Sequence, residues 1–181
     1  MGFLGRLLAR LGGTGELPPG FASRLEASEN VLAVADLRGG GHLVATSLGL
    51  WLPEGEDAHR AGWHLISKAT WSNGALTVVV ADEVGTAGGA VLLTDRAPRR
   101  FVLAEPRKVP QVVHARVTGS IRSRHHKELP GGGAWFVQRR VPGRDGVVLQ
   151  VRPDPGTDVQ VVADLAAEVA ARMGQGRRSG A

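Results

Sequence analysis

The chain contains no cysteine and no tyrosine. The first absence excludes a disulfide framework, thiolate metal ligation and thiol nucleophiles, and it fits a protein made for a reducing compartment. The second leaves four Trp and four Phe in 181 residues. The core is therefore aliphatic, and rings on which nucleic-acid bases could stack are few. No apolar run reaches the roughly 18 residues that a membrane-spanning helix needs. Lysine is scarce too, with Lys68, Lys108 and Lys127 set against nineteen Arg. What remains, at 43% hydrophobic and 22% charged residues, is a globular chain of ordinary single-domain size.

The net charge of +5 is unevenly placed. Met1 to Thr94 carries six basic and nine acidic residues, and Asp95 to Ala181 carries sixteen and eight. Between Arg96 and Arg152 thirteen basic residues face only Glu105, Glu128 and Asp145. Two readings are open. The stretch is either a solvated outer face coloured by arginine-rich composition, or an anion-binding surface drawn from Arg99, Arg100, Arg107, Lys108, Arg116, Arg122, Arg124, Lys127, Arg139 and Arg140. On a strand Arg122 and Arg124 share a face with His126, with Arg116 nearby, and such a stripe would grip phosphates bidentately.

Residues 1–16 form a short amphipathic segment in which Phe3, Leu4, Leu7, Leu8 and Leu11 keep helical spacing and Arg6 and Arg10 take another face. These five apolar residues are candidate membrane contacts, a second signal beside a basic surface. A secretory signal is not expected, because no apolar core of sufficient length is followed by a small-residue cleavage site. Residues 17–174 make one domain, and 175–181, with Arg177 and Arg178, read as a disordered basic tail.

The body reads as strands. Val31 to Leu37 and His42 to Leu52 flank a Gly-rich reversal, and a polar loop follows from Pro53 to His59. Trp63 to Trp71 and Ala75 to Ala81 flank Asn73-Gly74, a strong hairpin signal. Shorter strands are expected at Ala90–Thr94 and Arg100–Ala104, and another hairpin from Ala134–Val141 and Gly146–Arg152. Residues 109–125 fit both helical and alternating spacing. The β-branched pair Val117-Thr118 and Gly119 favour a short helical turn from Pro110 and then a strand from about Val117 to His125. The last element is a helix opening with a capping box at Thr157-Asp-Val-Gln160, with Val162, Leu165, Ala166, Val169 and Met173 on one stripe and Gly174 as its stop. The expected fold is mainly β with α: an antiparallel meander curled into a barrel and capped by one C-terminal amphipathic helix.

The order Glu29-Asn-Val-Leu32, Leu43-Val-Ala-Thr-Ser-Leu-Gly-Leu50, Trp63-His-Leu-Ile66, Ala69-Thr-Trp71 and Leu76-Thr-Val-Val79 resembles the opening of bacterial pleckstrin-homology-like (PH-like) domains, including the GRAM-like branch. The likeness covers roughly residues 29–104 and is one of hydrophobic pattern; the stretch from Val109 to Glu128 departs from it. As a whole the chain also looks like an actinobacterial-type family of small proteins with this fold. The resemblance implies a β-barrel with a helix across one open end, binding lipid headgroups, peptides or partner domains, and the fold alone does not choose among them.

Catalytic and metal motifs do not assemble from the sequence. The six His match no zinc spacing, and His125 and His126 face opposite ways on a strand. His64 reads as a partly buried, hydrogen-bonded strand residue, and the four Trp as core. The Gly runs lack the Gly-Lys-Ser/Thr ending of a phosphate loop, and no Ser sits in a nucleophile elbow. The expectation is a cytoplasmic, non-enzymatic binding or adaptor module with no cofactor, no metal and no small-molecule substrate. Its partner would be an anionic lipid at the inner membrane surface or an acidic protein. Sequence-independent binding of nucleic-acid backbone through residues 96–152 is the less favoured alternative.

Overall fold

The computed structural model describes residues 15–178, with side chains to residue 174. The candidate membrane contacts Phe3, Leu4, Leu7, Leu8 and Leu11 lie outside the described residues. Strands β1 (Val31–Asp36), β2 (His42–Thr46), β3 (Gly49–Glu54) and β4 (Asp57–Gly62) form an antiparallel sheet in chain order. Alternation sets its faces. Ala33, Ala35, Leu43 and Ala45 point into the main core, while Val34 and Val44 point outward and are covered by Phe21 with Leu17, Leu25 and Trp51.

Two features here differ from the sequence expectation. The run from His42 to Leu52 is not one strand but two, broken at Ser47-Leu48. Thr46 makes the corner: its hydroxyl accepts the N–H groups of Leu48 and Gly49 at 3.2 Å each, a side chain standing in for a ladder partner. Gly49 is required at that point, since a Cβ there would collide with the Ala61 carbonyl. The supposed loop from Pro53 to His59 is likewise the end of β3, a tight reversal at Gly55-Glu56 and the first half of β4. β4 alternates polar and apolar toward solvent and core, and its polar half imitates a loop.

A 3-10 turn at Trp63–Leu65 leads into β5 (Ile66–Ser72), then β6 (Ala75–Ala87), β7 (Ala90–Asp95) and β8 (Arg99–Val102). Asn73 and Gly74 adopt φ of 49° and 70°, the paired left-handed conformation of a two-residue hairpin turn. Along Ala75–Val80 the strand β6 pairs with β5 and, over Ala75–Val78, with β8; along Ala81–Ala87 it pairs with β7. At the far corner Leu37 bridges Leu103, so the four-stranded sheet curls onto β8. Of the Trp, only Trp63 is fully core, and Trp71 is 40% exposed.

Residues Val109–Ser120 form a helix, α1, in place of the short turn and early strand expected there. Val109, Val113 and Val117 recur at four-residue spacing and pack on the main core. The β-branched residues are poor helix formers, but the stripe they make covers apolar surface that the curled sheet would otherwise expose, and packing outweighs propensity. Strand β9 (Ile121–Leu129) follows directly, then β10 (Gly132–Arg139) and β11 (Val148–Pro153), which extend the second sheet in the order β7-β11-β10-β9 with β11 parallel to β7.

The C-terminal helix α2 (Val159–Arg178) packs on β6, β7 and β11 and builds a second core with Phe136, Leu149 and Val151. Its first turn is capped by Asp158, whose carboxylate accepts the N–H of Gln160 at 2.8 Å and of Val161 at 3.3 Å. The expected cap, Thr157, is used elsewhere: its hydroxyl accepts from Gly133 N–H and donates to Gly133 C=O, both at 2.9 Å. Nor does Gly174 stop the helix, which runs on through the start of the expected tail. A glycine costs about 1 kcal/mol in a helix, but it ends one only when it turns left-handed, and Gly174 is not among the residues of positive φ.

Candidate anion-binding cleft

Three segments distant in sequence meet at one end of the curled sheet: the β2–β3 corner, the last turn of α1 and the β10–β11 loop. Each is fixed locally. The segment before β1 is pinned by Glu29, whose buried carboxylate accepts from Thr46 Oγ1 at 2.5 Å, Trp51 Nε1 at 3.0 Å, Arg60 Nη1 at 2.6 Å and Glu26 N–H at 3.2 Å. Burial raises the pKa of this carboxyl, but the four donors together hold it below its ordinary value. With Glu29 turned inward, its neighbours Ser28 and Asn30 face the cleft, and Asn30 is tied to the β2–β3 corner by N–H to Ser47 Oγ at 3.0 Å.

The opposite wall is held by the Arg140 N–H, which donates to the Ser120 carbonyl at 2.8 Å, and by a turn closed by Arg144 N–H on Val141 C=O at 3.1 Å. The cleft so formed has a volume of about 650 Å³ and is lined by Arg116, Arg140 and Arg144 but by no Asp, Glu or His. No carboxylate among the described residues pairs with any of the three, whereas Arg24, Arg96, Arg107, Arg152 and Arg172 each have one and Arg60 has two. The C-terminus of α1 contributes about half a unit of negative charge, which leaves the three guanidiniums dominant. Planar forks on a solvent-open wall suit the bidentate recognition of phosphate or carboxylate oxygens.

Of the ten basic residues singled out from sequence, the structure brings Arg116 and Arg140 together here. Arg116 is on a helix, not beside Arg122 on a strand. Arg124 and Lys127 take opposite faces of β9, and Arg122 sits at a bulge where no residue of β10 lies opposite it. Arg100 is exposed on β8, and Lys108 and Arg107 precede α1, where Arg107 pairs with Glu105 at 3.4 Å. Arg99 donates to the Pro53 carbonyl and lies 5.1 Å over the Phe101 ring, so it works in packing.

Arg139 is the clear correction. It is 4% exposed and donates from Nη1 to the carbonyls of Trp63 and Ile66 at 2.9 and 3.0 Å. Burial, with Arg152 nearby, lowers its pKa to about 10. It faces inward because its register on β10 points at the 3-10 turn, and no exposed surface for an anion remains. His64 in that same turn differs from expectation as well: its Nδ1 is buried without a partner, and burial, then the charges of Arg139 and Arg144, lower its pKa to about 4. Sequence reasoning missed Arg144. It lies in the turn Pro142-Gly-Arg-Asp145, a signal of chain reversal and not of a binding wall, and only the folded loop aims it at α1.

The fold and cleft together define a mainly β chain, curled at one end around an arginine-lined, carboxylate-free opening. No family model, no curated protein and no solved structure matches it. Among the described residues no helix is long and apolar enough to cross a membrane.

Proposed function

We propose that the chain is a non-enzymatic PH-like binding module whose ligand is an anionic group held in the cleft by Arg116, Arg140 and Arg144. The single observation that carries this reading is the convergence of three guanidiniums without a carboxylate on one opening. The PH-like part is supported by the curling of β1–β4 onto β5, β6 and β8, with α1 packed against the enclosed core; β9 to α2 then stand as an addition. Anionic lipid headgroups and acidic protein segments present the same oxygen chemistry to such a cleft. Of the two we favour the lipid, with the protein acting from the cytoplasm at the inner membrane surface, because Phe3, Leu4, Leu7, Leu8 and Leu11 would add the second membrane signal that peripheral binding needs.

Nucleic-acid backbone is a weaker reading. Its continuous basic stripe is not formed, because Arg139 is buried, Arg99 and Arg107 are engaged, and Arg116 and Arg122 lie on different elements. Sedimentation with vesicles of neutral or anionic lipid at low salt tests the proposal. The protein should follow the anionic vesicles, and the double variant Arg140→Glu/Arg144→Glu should stay in the supernatant. Equal recovery from both kinds of vesicle would overturn the lipid assignment. A steep decline of DNA binding with salt, reversed by the same variant, would move the cleft to nucleic acid.

A further inference from the structure

Among the described residues β9 is the end strand of the second sheet: it pairs with β10 on one side and with no strand on the other. Among the described residues no backbone hydrogen bond reaches its outer edge. α2 packs chiefly on β6, β7 and β11 and reaches β10 through Met173 beside Gln138. Between α2 and β9 lies a groove of about 380 Å³ in which Phe136 and Leu149 of the sheet and Val169 and Met173 of α2 meet the polar row Ser123, His125 and Lys127 of β9. An unpaired strand edge beside a groove is the geometry into which an extended segment adds itself as one more strand.

The register fixes what that segment must carry. From Ser123 onward successive residues of β9 face opposite sides, so Ser123, His125 and Lys127 look toward the groove while Arg124 looks away from it; Arg122 sits at a bulge with no residue of β10 opposite it. A strand laid along β9 therefore sets one row of side chains beside Ser123, His125 and Lys127 and the other beside Arg124 and Arg122, two arginines that no carboxylate among the described residues neutralises. We propose that β9 is a docking edge for an acidic protein segment, which binds by strand addition with acidic side chains at every second position set beside Arg122 and Arg124. A second copy of this chain fits less well: antiparallel pairing of β9 with itself about His125 sets Arg124 against His126 and Ser123 against Lys127, and only Arg122–Glu128 and Ile121–Leu129 match. This surface is separate from the arginine cleft, and the proposal stands or falls independently of it.

The test uses the full chain and a fluorescent nine-residue peptide, the length of β9, made of alternating Glu and Val. Fluorescence anisotropy should report saturable binding, and amide hydrogen exchange of Arg122 to Lys127 should slow. A peptide with the same residues in two blocks, and one N-methylated at alternate positions, should each bind at least about tenfold more weakly, as should the variant Arg122→Glu/Arg124→Glu toward the alternating peptide. Arg140→Glu/Arg144→Glu should leave the peptide's slowing of exchange at Arg122 to Lys127 unchanged. The N-methylated peptide leaves the protein intact, so its loss cannot come from misfolding. Equal binding of the block or N-methylated peptide, no binding at millimolar peptide, or a concentration-dependent dimer sealed through β9 would each overturn the proposal.

Discussion

The two cores of this protein are closed to different degrees. The first, around Trp63, Leu50, Ile66 and Leu76, is wrapped by the curled sheet on its sides and by α1 at its end, and these side chains are at most 1% exposed. The second, under α2, is a single layer of helix on sheet whose far flank opens into the groove beside β9; Phe136 and Leu149 keep 8% and 6% exposure. Charge does not divide with them. Glu29 and Arg60 pair in the first region and Arg152 and Arg172 find carboxylates in the second, while exposed arginines without a carboxylate lie on α1 and β8 of the first and on β9 and the β10–β11 loop of the second. The enclosed region is built for stability, and the open one leaves a strand edge free for others.

A pair of truncations should separate the two cores most strongly. Trp63→Ala removes a side chain 1% exposed together with its hydrogen bond to Thr46 C=O at 3.0 Å, and should cost about 4 kcal/mol in urea unfolding. Phe136→Ala, at the groove wall, should cost about 2 kcal/mol because neighbours and water can fill the space. Equal losses would mean that the second core is as closed as the first. The seam comes next. Arg139→Met leaves the carbonyls of Trp63 and Ile66 without their buried donor and should cost about 3 kcal/mol, read from the denaturant midpoint.

A smaller effect depends on pH. His64 titrates near 6.5 when unfolded and at about 4 in the fold, so between these values the unfolded chain binds the extra proton. Stability is therefore complete above pH 6.5 and falls as the pH drops toward 4. The loss should be about 2 kcal/mol after screening at this partly exposed site is allowed for. His64→Gln should flatten that slope in urea melts at pH 7 and pH 4.5, and an unchanged slope would remove His64 as its source. Smallest, Thr157→Val should cost about 1 kcal/mol by cutting the tie from α2's entry to Gly133, with the helix still capped by Asp158.

Hairpins with strong turn chemistry were readable in the residues. Asn73-Gly74 fixes its turn because few other residues tolerate two left-handed conformations in succession, and the alternation on either side follows. The C-terminal helix was readable from its apolar stripe. The corner at Thr46 was not, since it depends on a hydroxyl folding back on its own chain in a stretch that alternates without a break. Helix α1 was ambiguous for a stricter reason: Val113, Val117 and Ile121 satisfy both periods, and the choice lies with the core they cover. The cleft was half legible. Arg116 and Arg140 stand out as charge, but which arginines face solvent is decided by register, and register sends Arg139 inward one residue before Arg140.

β6 bears on how the chain can be divided. Its thirteen residues serve the curled half with their first part and the helix-backed half with their last, so no cut between the two regions leaves a finished product. A fragment ended after Ser120 would keep β7 but lose β11, its parallel neighbour, and so acquire a raw strand edge prone to sticking to its own kind. Any minimal soluble version of the arginine cleft must therefore retain β9 to α2.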